Sequence, residues 1–123
     1  MKFNLDENLD TFAISAYADG WIRIADRRID APCVVSSAGI ISDLLPATLD
    51  ELDVIHLRKI SALAPEIVLL GTGAKQIFLD YALTEALAAE NIALETMDTG
   101  AACRCFNILV AEARAVVAAL YMI

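Results

Sequence analysis

The sequence predicts an α/β fold in which a central mixed sheet carries packed helices and an N-terminal antiparallel β-meander precedes it. Three observations predict it. A hairpin signal at Asp19-Gly20 joins two apolar runs. A continuous apolar stretch, Glu66-Ile67-Val68-Leu69-Leu70, ends at Gly71-Thr72-Gly73, as a strand buried on both faces ends at a turn. Strand, turn and helix then alternate over 66–120, the order expected of parallel pairing with right-handed crossovers.

Residues 1–10 are polar and read as a loose lead-in to a single domain over 1–123. Phe12 to Tyr17 and Trp21 to Ile24 flank the Asp19-Gly20 turn, and Arg23 alternates with Ile22 and Ile24 as in a strand with one wet face. A turn around Asp26-Arg27-Arg28 leads to a third strand over Ala31 to Ser36, with Pro32 tolerated near its start. A loop over Ser36 to Gly39 and a short strand at Ile40-Ile41 complete the meander.

The next segment is helical. Thr48 and Glu51 have capping-box spacing, and Asp53 is a rival cap one turn later. Leu57, Ile60 and Leu63 recur at three-residue spacing, predicting a helix over 53–63 that Ala64-Pro65 stops. After the strand at 66–70 and the glycine turn, Ile77, Leu79, Ala82, Leu83, Ala86 and Leu87 predict a helix ending near Glu90-Asn91. Ile92 to Thr96 is the next strand, and Asp98-Thr99-Gly100 opens a long helix running to the terminus.

Composition narrows the function classes. The chain is 59% hydrophobic, with 21% charged residues and a formal net charge of −8. Proteins that track nucleic-acid phosphates need basic clusters, and the only adjacent basic pairs are Arg27-Arg28 and Arg58-Lys59. Nucleic acid is therefore not an expected partner. The lead-in lacks the apolar core of a signal peptide, which predicts an intracellular, cytoplasmic protein. The tail from Cys105 to Ile123 has the length of a membrane span but carries Asn107, Glu112 and Arg114, and mid-span charges cost about 2.5–3.5 kcal/mol each. A buried helix is the better reading, so no integral membrane protein is expected. Apolar surface on a small acidic chain fits a protein partner or a homodimer.

Ligands in open α/β sheets favour the carboxyl ends of parallel strands. Two such ends occur, Gly71-Thr72-Gly73-Ala74-Lys75-Gln76 and the stretch from Thr96 to Arg104, and neighbouring parallel strands would make them line one cleft. The glycines either bring amides to an anion, helped by Lys75, or make a tight turn. They match neither the phosphate-loop motif nor the dinucleotide fingerprint, where Gln76 replaces the third glycine. Thr99 is placed as the helix N-cap, followed by Cys103, Arg104 and Asn107. Arg104 near a helix amino terminus opposes the macrodipole, which calls for a bound anion or a salt bridge to Glu66, Glu95 or Asp98. Arg104 and Asn107 share a helix face.

Cys103 is either a lowered-pKa thiolate or a buried small hydrophobe, and the single histidine, His56, lies in another segment as an exposed or capping residue. Cys103 and Cys105 diverge on a helix, and Cys33 stands apart, so neither a metal site nor a disulfide framework is expected. No cofactor motif is present, and no nucleophile–base pair or carboxylate pair supports catalysis.

Pro65 to Gly73, followed by Glu95 to Leu109, resembles a small domain-of-unknown-function family that includes mitochondrial complex I assembly factor three and the adipogenesis-associated domain protein. The resemblance runs from Phe12 almost to the terminus. It implies a three-layer α/β arrangement around a mixed sheet, no established catalytic residues, and protein contacts in an assembly role. Cys105 stands where the family commonly has threonine, whereas Phe106 and Asn107 keep its pattern. A mitochondrial presequence would be rich in arginine and poor in acids, which the lead-in is not. Two readings of function follow. One is a binding or assembly module, supporting a respiratory or other membrane complex. The other is an anionic-ligand binder or enzyme using the cleft of Gly71, Thr72, Gly73, Lys75, Thr99, Cys103, Arg104 and Asn107.

Overall fold

Two sheets organise the molecule. The computed structural model describes residues 13–123; the lead-in and the expected strand start at Phe12 lie outside the described residues. Strands β1 (Ile14–Ala18), β2 (Trp21–Ile24) and β3 (Arg27–Ile29) form an antiparallel sheet in that order. Gly20 turns the first hairpin at φ 85°. The second turn falls earlier than the expected Asp26-Arg27-Arg28. Ala25 and Asp26 take φ 51° and 64°, the positive pair that matches the twist of a two-residue hairpin, and Arg27 and Arg28 belong to β3. Neither turn residue is glycine or asparagine, so the local signal is weak.

The second sheet has five strands in the order β5-β4-β8-β6-β7. Its members are β4 (Cys33–Ser36), β5 (Gly39–Ile41), β6 (Ile67–Thr72), β7 (Ala93–Met97) and β8 (Val116–Tyr121). The meander expected in one piece is therefore divided. Strand β4 leaves the first sheet and pairs antiparallel with β8 and β5. Burial explains the division: Cys33, Val34 and Val35 are almost completely covered, which requires packing on both faces, whereas β1–β3 keep one face wet.

The expected terminal helix is also corrected. Helix α3 (Thr99–Ala111) ends within the tail, before the strand at Val116–Tyr121. Ala113 adopts φ 59°, and the Arg114 N–H donates to the Leu109 carbonyl at 2.9 Å, a left-handed helix termination usually made by glycine. Residues Val116–Tyr121 then form β8, which is buried throughout and lies between β4 and β6. The most apolar segment is thus the central strand.

Helix α1 (Val54–Ser61) starts at Asp53, whose carboxylate accepts from the Val54 N–H at 2.7 Å. His56 completes the cap, its Nδ1 accepting from the Asp53 N–H at 3.0 Å. The Thr48–Glu51 box caps only a single 3-10 turn, Leu49–Glu51. Helix α2 (Tyr81–Ala88) begins later than the apolar spacing from Ile77 predicts, because Asp80 caps it through the Ala82 N–H at 3.1 Å.

Strands β6, β7 and β8 are parallel, and the two crossovers run in opposite directions along the sheet. Crossovers of one hand then place their helices on opposite faces. Accordingly Val68, Leu70, Val117 and Ala119 pack with Leu57, Ile60, Leu83 and Leu87 of α1 and α2. The alternate residues Leu69, Val116, Ala118 and Leu120 pack with Phe106 of α3 and with Ile22 and Ile24 of the smaller sheet.

Candidate functional site

The glycine turn and the start of α3 do meet. Strands β6 and β7 are parallel neighbours with Gly71 opposite Met97, and the Thr99 N–H donates to the Gly73 carbonyl at 2.9 Å. Thr99 is not the N-cap. Asp98 holds that position, accepting from the Ala101 N–H at 2.9 Å, and Thr99 is the first helical residue, fully buried. Its hydroxyl accepts from the Gly73 N–H at 2.8 Å and donates to the Tyr121 carbonyl at 2.6 Å. One side chain therefore ties together the ends of β6, β8 and the helix. Gly71 permits this approach, since a β-carbon there would stand 2.8 Å from Thr99 Oγ1 and 3.0 Å from Thr99 Cα.

Thr72 organises the following loop. Its hydroxyl donates to the Lys75 carbonyl at 2.6 Å and accepts from the Ile77 N–H at 3.2 Å. The Gln76 amide donates to the Thr96 carbonyl at 3.1 Å, fastening the loop to β7. The Lys75 side chain is exposed and enters no ion pair among the described residues. This pinned loop and the start of α2 present an apolar ledge: Ile77 is 48% exposed, Phe78 84% and Tyr81 70%.

Arg104 and Asn107 share a helix face as the spacing predicts, but that face meets β1. Asn107 Oδ1 accepts from the Ile14 N–H at 2.8 Å, and Nδ2 donates to the Ile14 carbonyl at 2.9 Å. One amide thus pairs like a strand neighbour with both backbone groups of Ile14. The Arg104 guanidinium donates to the Tyr17 hydroxyl and to none of the three carboxylates the sequence suggests. Glu66 pairs instead with Arg114 at 2.7 Å, a contact that holds its carboxyl below the usual range. The Tyr17 ring lies against Gly100, where a β-carbon would come within 3.0 Å.

Cys103 faces the core with Cys33, both about 1% exposed. Burial pushes the Cys103 thiol up to about 12 and Cys33 to about 11, so neither is a thiolate at neutral pH. The eight residues read from sequence thus fall into three places: the Gly71–Thr99 knot with its loop, the α3–β1 seam, and the core. Tyr17 and Tyr121 escaped sequence reading. Polar residues on an apolar helix signalled a contact at Arg104 and Asn107, but no local pattern names β1 as the partner.

A family model described as a protein of unknown function, DUF498/DUF598, matches residues 14–121. The chain belongs to this family. The DUF498/DUF598 match opens at the first residue of β1 and closes at the last residue of β8, so it takes in both sheets and the knot. A Xenopus tropicalis relative, NADH dehydrogenase (ubiquinone) 1 alpha subcomplex assembly factor 3, is 30% identical over 113 residues, covering 87% of this chain and 59% of its own length. A 13 kDa major membrane protein of Francisella tularensis is 38% identical over 59 residues, covering 48% of each chain. The chain therefore spans about half to three-fifths of these relatives. The solution structure of a Bordetella pertussis protein, a Mth938-like domain, superposes with a TM-score of 0.79 at 29% identity, covering 98% of this chain and 92% of that one. The family resemblance read from Pro65–Gly73 and Glu95–Leu109 is thus correct, as is the mixed-sheet fold. Among the described residues no helix is long and apolar enough to cross a membrane.

Proposed function

We propose that this chain is a protein-binding module that supports the assembly of a larger complex, a respiratory or other membrane complex, and holds its partner on the ledge of Ile77, Phe78 and Tyr81. The observation that carries the reading is a large apolar side chain, Phe78, held 84% exposed on a loop fastened by Thr72 and Gln76. Ordering a loop costs conformational entropy, and a loop whose backbone is already fastened binds with less left to lose. The assembly role named for the Xenopus relative supports the same reading.

In this reading Gly71, Thr72, Gly73 and Thr99 frame the ledge, and Lys75 contacts the rim of the partner. The amide of Gly73 is already satisfied by Thr99, which favours a framing role over anion binding. Arg104 and Asn107 position β1 on α3, and Cys103 packs the core.

A photo-crosslinking amino acid at Phe78 tests the proposal in native extract, with the same group at Ile55, 60% exposed on α1, as the control. One stoichiometric partner captured at 78 and absent at 55, identified as a subunit or assembly protein of a membrane complex, is the expected result. Equal capture at both positions, or none at 78, refutes it.

A further inference from the structure

The smaller sheet carries a second recognition surface. Ile22 and Ile24 are completely buried against α3, so strand alternation sends Trp21 and Arg23 to the opposite, outer face of β2. Arg28 on β3 is the register partner of Arg23 and shares that face. The Arg23 guanidinium carbon lies 5.6 Å from the Trp21 ring centroid, and that of Arg28 lies 5.1 Å away. Both distances are in the range of attraction between a cation and the indole face.

Two features set this platform apart. Like charges directly opposite one another destabilise a strand pair, yet Arg23 and Arg28 are in register. Among the described residues neither has a carboxylate partner, the one ion pair being Arg114 with Glu66. The platform also runs against the charge of the chain, which has 17 acidic residues to nine basic ones. Arg23, Arg27 and Arg28 bring a third of those basic residues onto two short strands. Trp21 holds both guanidiniums in place, so less freedom is lost when an anion arrives.

From this arrangement we infer that Trp21, Arg23 and Arg28 form a docking surface for an extended acidic segment of a protein partner. Two of its carboxylates pair with the two guanidiniums, and an apolar side chain lies on the exposed part of the indole. Charge complementarity selects this occupant. A short carboxylate-bearing segment needs only two cations, whereas a duplex or an anionic bilayer presents a continuous negative surface to a molecule of net charge −8. The platform and α2, which begins at Tyr81 of the ledge, lie on opposite faces of the five-stranded sheet. Binding at the platform is independent of the ledge.

Trp21 is the only tryptophan, so its fluorescence reports on the platform alone. The probe is a synthetic peptide of alternating glutamate and leucine, titrated at low and at high salt. Phosphatidylcholine vesicles containing phosphatidylserine are titrated in parallel. The expected result is a saturable change with the peptide that weakens with salt and exceeds any response to the vesicles. Arg23→Gln with Arg28→Gln should weaken binding about tenfold, the scale of two exposed charge pairs. Arg58→Gln with Lys59→Gln, on α1, should leave it unchanged. Circular dichroism confirms that both variants fold. The absence of a saturable change, an unaltered titration in the Arg23/Arg28 variant, or vesicle binding as strong as peptide binding overturns the inference.

Discussion

Gly71 and Thr99 are in contact through a space that admits no side chain at position 71. A β-carbon there would stand 2.8 Å from the Thr99 hydroxyl and 3.0 Å from both Thr99 Cα and a Leu120 methyl. Because one of these neighbours is backbone, the strain has no easy release. Gly71→Ala should therefore destabilise the fold by about 1–3 kcal/mol, the usual scale of overpacking. Urea unfolding checks this, and an unchanged midpoint would show that β6 and α3 separate more readily than their packing implies.

The Thr99 hydroxyl serves two buried backbone groups, the Gly73 N–H and the Tyr121 carbonyl. Thr99→Val keeps the shape and removes both bonds, leaving a buried donor and acceptor unpaired. The expected loss is about 1–3 kcal/mol. Thr99→Ser keeps the hydroxyl and should lose less. If the two variants unfold at the same denaturant concentration, the hydroxyl contributes nothing measurable.

Asn107 both accepts from and donates to the Ile14 backbone. Asn107→Asp retains the acceptor and cannot donate, whereas Asn107→Ala loses both contacts. Hydrogen exchange at the Ile14 amide should quicken strongly in the alanine variant and less in the aspartate variant. An amide equally protected in all three proteins would show that the seam between β1 and α3 is held by apolar packing alone.

Burial raises the thiols of Cys33 and Cys103 from an ordinary 9.0 to about 11 and about 12. The unfolded chain releases these protons first. Stability is accordingly full below about pH 9 and falls as pH rises through the folded-state values, by about 1.4 kcal/mol per pH unit for each thiol. Urea midpoints should stay level from about pH 8 to about pH 9 and fall along this slope from there towards about pH 11. The Cys33→Ala/Cys103→Ala double variant should flatten it, leaving the contribution of Tyr121, whose buried phenol is also raised, to about 12. A slope as steep in the variant as in the parent would assign the loss to other groups.

The sequence by itself determined the features that local chemistry specifies. Gly20 supplied a positive φ for the first hairpin, Asp53 and His56 the cap of α1, and the apolar run before Gly71 the doubly covered strand β6. It also located the strand ends at which the two loops converge, together with the Pro65–Gly73 and Glu95–Leu109 patterns that mark the family. Tertiary structure decided the rest. Ala25 and Ala113 turn the chain through left-handed conformations without glycine, so the register of β3 and the stop before β8 carry no local mark. The apolar tail became the central strand because only there do both its faces find cover. Arg104 and Asn107 meet partners 87 and 93 residues away, and Trp21 acquires two guanidiniums only once β2 and β3 are in register. A single chain displays its own periodicity and caps, whereas contacts at such separations exist only after the sheets have closed around α3.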